Sequence, residues 1–153
     1  MRQIPPDDKE IGKLYEKYHT PIHIRAHCAV VAALACELGE KLKNKGIEIN
    51  LELLHAAALL HDLVRVVDFR IFNPEKFSHK PTEEDVKFWE ELRKKYKGWH
   101  HAKAGEDILK SDYPEVAKLV GTHLFLQIEK GFDSWEEKLL YYADKRVKHD
   151  QIV

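Results

Sequence analysis

The sequence predicts an all-α fold, a compact helical bundle of about six to seven helices. Three observations carry that prediction. Apolar residues recur at helical spacing along most of the chain. Capping residues punctuate those stretches. No segment has the alternation or turn spacing of a sheet. The 153 residues read as one domain, 1–153, with length enough for one sizeable core.

The elements follow in order. A first helix is expected over 6–18, with Ile11, Leu14, Tyr15 and Tyr18 on one stripe. Pro21 starts a longer helix, 22–45, with His27, Val30, Val31, Leu34 and Leu38 on its apolar side and Gly46 ending it. Asn50 caps a helix over 51–67. Thr82 opens another, whose first turn holds Glu83, Glu84 and Asp85, the sign the helix dipole favours; Gly98 closes it. A short helix spans 101–110. Pro114 lies in the first turn of the next. Ser134 and Glu137 form a capping box for a last helix running to His149. The irregular segment 69–81, with two prolines and several rings, either roofs a site after the third helix or docks its phenylalanines on the core.

Bulk properties narrow the function. Charge is near balance, 25 basic against 26 acidic residues, so no polybasic nucleic-acid surface is expected. No amino-terminal segment resembles a signal peptide, and the apolar runs 28–36 and 56–60 are too short to span a bilayer. A cytoplasmic protein without membrane contact is expected. Cys28 and Cys36 read as reduced core residues. A homodimer through the amino-terminal helix stays open.

The run LLHAAALLHDLVR is nearly all apolar, yet it ends on His61 and Asp62. A buried, unpaired charge is costly, so the pair needs partners. In chain order the polar residues on apolar faces are His27, His61, Asp62, His101, His123 and Asp144, each on a separate predicted helix apart from the doublet. Taken singly, His101 and His123 read as core histidines; the recurrence points to a divalent metal held between facing helices. Imidazole and carboxylate donors suit iron, manganese, cobalt, nickel or zinc. Adjacent helical residues point about 100° apart, so His61 and Asp62 flank an ion or Asp62 bridges two. His55 reads as a core or supporting residue.

This order resembles the HD-domain superfamily, whose signature is H…HD…D. The resemblance covers about 22–148, the domain core, and rests on RAHCAVVAALACELG, LLHDLVR and LYYADKR. HAKAGEDIL and VGTHL add His101 and His123, with His100 an alternative to His101. The resemblance implies that His27, His61, Asp62 and Asp144 hold one metal ion and that Asp62, His101 and His123 hold a second. Iron, manganese, cobalt, nickel, zinc and magnesium all stay open. It further implies a metal-dependent phosphohydrolase acting on a nucleotide or dinucleotide through metal-activated water. Small bacterial HD hydrolases of dinucleoside tetraphosphates have a similar length and ligand order. Other HD-fold proteins are mixed-valence di-iron oxygenases, and a non-catalytic nucleotide-binding domain is the remaining alternative.

For the substrate, Arg65 lies three residues after Asp62, where deoxynucleotide monophosphatase branches carry glutamate. It is a candidate for binding phosphate or stabilising the transition state, or else an ion-pair partner of Asp62 or Asp68. Lys145 and Arg146 follow Asp144 as further substrate-binding candidates, Lys103 is a weaker one, and Arg25 need not face the metal. Phe69, Phe72, Phe77, Trp99 and Phe125 either stack on a base or fill the core.

Overall fold

The computed structural model describes residues 4–153, so the first three residues of the expected domain lie outside the described residues. The fold is all-α, as predicted. The helices are α1 (Asp8–Lys17), α2 (Ile22–Asn44), α3 (Leu51–Leu60), α4 (Glu83–Lys95), α5 (His101–Leu109), α6 (Pro114–Gly121), α7 (Gln127–Lys130) and α8 (Trp135–Lys145). The described residues thus hold eight α-helices, the short α7 being the one not foreseen. Two 3-10 turns, Arg65–Asp68 and Pro74–Lys76, lie between α3 and α4.

Helix α2 is the spine, packing against both α3 and α8, while α6 packs on α3 and α5. By length and composition α2 is also, among the described residues, the one helix apolar enough to cross a membrane. Counting uninterrupted apolar runs missed this, because His27 and Glu37 bound the run 28–36. Helix α3 carries the core: Leu54, Ala56, Ala57, Ala58 and Leu60 are fully buried. Gly39 lets α2 approach α3 closely, since a Cβ there would stand 2.8 Å from a Leu51 methyl. Truncating Leu54 to alanine would cost about 2–5 kcal/mol. Helix α1 is capped by a reciprocal Asp7–Glu10 box and packs Ile11 and Tyr15 onto the bundle.

Two boundaries differ from expectation. The third helix ends at Leu60, not Val67. From there the backbone tightens into three-residue bonds: Leu63 to Leu60, Arg65 to Asp62, Val67 to Val64. The cause is local, since the His61 side chain bonds the Ala58 carbonyl that the next helical amide would use. The last helix stops at Lys145, not His149. Strands β1 (Val147–Lys148) and β2 (Gln151–Ile152) then form a small antiparallel hairpin, pairing Val147 with Ile152 and Lys148 with Gln151. Its register is too short to show as alternation. Val147 is its one buried residue, and His149 takes a left-handed φ of 59° at the turn.

Candidate metal centre

Two histidines are set by the ends of their own helices. His61 follows α3, and its Nδ1 donates to the Ala58 carbonyl at 2.6 Å. His123 follows α6, and its Nδ1 donates to the Val120 carbonyl, again three residues back. Carbonyls only accept, so both rings carry a proton on Nδ1 and turn Nε2 inward. Both side chains are almost wholly buried.

The other two are set from a distance. The His27 Nδ1 donates to the His149 carbonyl at 2.6 Å, which the left-handed turn of the hairpin presents. The His101 Nδ1 donates to Asp68 Oδ2 at 2.9 Å, and the same oxygen accepts the His101 backbone N–H at 2.8 Å. All four Nε2 atoms are thereby left free of structural duties. This is the tautomer a metal requires, with the second nitrogen fixed by a hydrogen bond.

The free nitrogens converge on two carboxylates. His27 Nε2 lies 3.0 Å and His61 Nε2 3.2 Å from Asp144 Oδ1. The same two atoms lie 3.6 and 3.5 Å from Asp62 Oδ2. On the other side of Asp62, Oδ1 meets His101 Nε2 at 3.1 Å and His123 Nε2 at 3.4 Å. Each set, His27, His61, Asp62 and Asp144 or Asp62, His101 and His123, offers ligand atoms within 4.8 Å of one another. Asp62 divides its two oxygens between the sets. Donor chemistry fits metal closely: His101 Nε2 and His123 Nε2 face each other at 3.1 Å beside Asp62 Oδ1, so an ion there would meet two imidazole nitrogens and a carboxylate oxygen.

Electrostatics agree. Burial alone would push the Asp62 carboxyl up, but the charge of His61 and hydrogen bonds from His101 and His123 hold it well below the usual range. Asp144 behaves alike: burial raises it, and His61 and His27 more than reverse that. Burial works against a charged His61, yet Asp62 and Asp144 raise its pKa well above the ordinary value. His101 is also raised, its bonds to Asp62 and Asp68 overcoming burial. Burial and the His61 charge keep His123 low. The two ionised carboxylates, Asp62 buried and Asp144 half-buried, thus draw positive charge to their shared focus.

His101 rather than His100 reaches Asp62. His100 instead caps α5, accepting the Ala102 N–H at 3.0 Å, and burial beside His101 lowers it to about 4. Asp68 and His100 lie near enough to His101 to suggest a third set, but backbone N–H groups already engage them. His55 stands away from the centre, half-exposed and paired with Asp8 at 3.0 Å, so the reading as a core or supporting residue fails. That pair joins α3 to α1 instead.

A cleft of about 900 Å³ opens onto His27, Asp62, His101 and Asp144. Segment 69–81 supplies Phe69, Lys76, Phe77, Ser78 and His79 to its wall. Phe69 and Phe72 pack edge-on against Phe77, and Phe72 and Phe77 both meet Trp89, so the segment both lines the cleft and seals the core. Arg93 ties its start down through the Val66 and Phe69 carbonyls. Trp99 packs on Tyr96, and Phe125 is exposed.

Arg65 lines the cleft, one guanidinium nitrogen 2.6 Å from Asp68 Oδ1 and its plane 4.8 Å above the Phe69 ring. Lys145 lines it too, its amine over Tyr141. Arg146 does not: it bonds the Val153 carbonyl and the Tyr142 hydroxyl, drawn away by the hairpin that replaces the expected helical end. Lys103 pairs with Glu106, and Arg25 bonds the Thr20 and Tyr15 carbonyls. Sequence reasoning missed Asp68 as the support of His101; an aspartate inside the apolar run LVRVVDF was its only signal. His23, His79 and His149 also line the cleft.

Fold and site together define a class: a helical bundle whose facing helices bring histidines and aspartates, in the order H…HD…D, around one focus. The HD-domain family model matches residues 24–152, and the chain belongs to that family. Membership places it in a superfamily of metal-dependent phosphohydrolases. No curated protein and no solved structure matches the chain.

Proposed function

We propose that this chain hydrolyses a phosphoester or phosphoanhydride bond of a nucleotide or dinucleotide, using one or two divalent ions held by His27, His61, Asp62, His101, His123 and Asp144. The observation behind the reading is that four histidines, each with Nδ1 already engaged, aim Nε2 at two ionised carboxylates. Such ions would supply a Lewis acid that activates water and draws charge from a phosphoryl oxygen. A nitrogen-rich set favours iron, manganese, cobalt, nickel or zinc over magnesium, which prefers oxygen.

The chain's own groups do the rest. Asp62 joins the two ligand sets and fixes their spacing. Arg65, steadied by Asp68 and Phe69, keeps guanidinium N–H donors for a phosphate oxygen at the cleft wall. Lys145 adds a cation beside Asp144. The roof segment limits water around the reacting group. Protein loaded with Mn²⁺, Co²⁺ or Fe²⁺ should release phosphate from members of a nucleotide and dinucleotide panel. Asp62→Ala should lose at least about a thousandfold in rate, the scale of a lost electrostatic anchor. Equal rates for the two proteins would overturn the reading.

A further inference from the structure

Arg65 and Asp68 join the cleft to the His101–His123 set. Both lie on the 3-10 turn Arg65–Asp68, where side chains three residues apart eclipse, so one stands above the other. The Arg65 guanidinium holds Asp68 Oδ1 at 2.6 Å. Asp68 Oδ2 accepts the backbone N–H and the Nδ1–H of His101, at 2.8 and 2.9 Å. The far side of that ring, Nε2, meets Asp62 Oδ1 at 3.1 Å. One carboxylate therefore serves a cation with one oxygen and a candidate metal ligand with the other. Arg93 fixes the turn by bonding the Val66 and Phe69 carbonyls, on either side of Asp68. Arg65 lines the cleft and Asp68 does not, so an incoming anion meets the guanidinium and not the carboxylate.

Hydrogen-bonded groups in series polarise one another. The guanidinium draws the charge of Asp68 towards itself and away from His101. A carboxylate behind an imidazole makes that imidazole a better metal ligand, so the pull of Arg65 weakens Nε2. An anion on the outer N–H groups of Arg65 offsets the pull. We propose that Arg65, acting through Asp68 and His101, couples anion binding in the cleft to the metal affinity of the His101–His123 set. With the guanidinium unoccupied the set is held weak; with an anion on it the set tightens. This rests on the reading of the site as a metal centre that takes a phosphoryl anion. Linkage makes the effect reciprocal: an ion on His101 strengthens the anion by the same factor. Arg65 is thereby a positioning residue for the ion as well as a contact for the substrate.

The test is a Co²⁺ titration followed by visible absorption, read on the binding event that His123→Ala removes. Sulfate, against chloride at matched ionic strength, should tighten that event in the wild type by about fivefold or more, the low end of coupling between sites. Arg65→Gln should tighten it similarly without sulfate, and sulfate should then add nothing. Asp68→Asn keeps an oxygen that accepts from His101, and in that background both effects should vanish. Effects of equal size with and without the carboxylate would overturn the proposal, because charge acting directly across space needs no Asp68. A sulfate effect that survives Arg65→Gln would overturn it too, as the sign of sulfate on the ion itself. So would the absence of a His123-dependent event, which leaves the one-ion form of the hydrolase reading standing. If Asp68→Asn holds no ion there, the sulfate comparison between wild type and Arg65→Gln decides alone. Turnover without the coupling would sink the relay only; coupling without turnover would sink the hydrolase reading only.

Discussion

His61 and His123 sit deep and lean on their own helices, whereas His27 and His101 sit nearer the cleft and lean on remote groups. The first two borrow a carbonyl three residues back. The second two depend on the His149 carbonyl, 122 residues away, and on Asp68, 33 residues away. The inner pair is therefore set as soon as its helices form. The outer pair is only as well placed as the hairpin and the turn that brace it.

That contrast can be broken in graded ways. The largest effect is expected from His61→Ala. It leaves Asp62 with three of its four imidazole neighbours and Asp144 with one of two, and should lower stability by about 3 kcal/mol, the scale for breaking a buried charged pair. Urea denaturation should show it, with His27→Ala well under that figure. Next, Asp68→Asn should spare the fold but loosen His101. Loss of such a supporting partner typically costs 10–100-fold in metal affinity. Metal titration should show the His101–His123 set weakening while the His27–His61 set holds.

Position 149 tests whether a backbone atom alone supports His27. His149→Gly tolerates the left-handed φ and should leave metal content unchanged. A β-branched residue resists that conformation by about 1–2 kcal/mol. His149→Val should accordingly weaken the first set by up to about tenfold, as read by equilibrium dialysis.

The smallest effect is expected at a half-buried histidine–aspartate pair, His19 and Asp85, joined at 2.6 Å. Burial works to raise Asp85, but the bond from His19 and the capping bonds of Thr82 together bring it below its usual value. A depressed carboxyl adds stability above its unfolded pKa, about 4, and loses it as pH falls through the lower folded value. Asp85→Asn should cost under about 1 kcal/mol at pH 7, and the difference from wild type should shrink towards pH 3. Thermal melts across that range check it.

The same contrast explains what was legible in the sequence. His27, His61, His101, His123 and Asp144 stand out because a polar side chain on an apolar helical stripe is conspicuous, and the helical class follows from the same periodicity. The supports of the outer pair were not legible. A backbone carbonyl such as that of His149 has no residue type to announce it. Asp68 does its work across 33 residues, and nothing local marks it. The break after Leu60 escaped because Leu63, Val64, Val66 and Val67 continue an apolar pattern that suits either a helix or the tighter turn. Of the two cations after Asp144, Lys145 ends α8 and lines the cleft, whereas Arg146 lies one residue past the helix and is held by the hairpin.

The bond from His27 to the His149 carbonyl, and the meeting of His27 with Asp144 across 117 residues, also set a clock. Contacts across so much chain close long loops, whose entropy must be met before the contact repays it. Asp62, Asp68, His101 and His123 lie closer together in sequence. His27 meets its partners only when the two ends of the domain have come together.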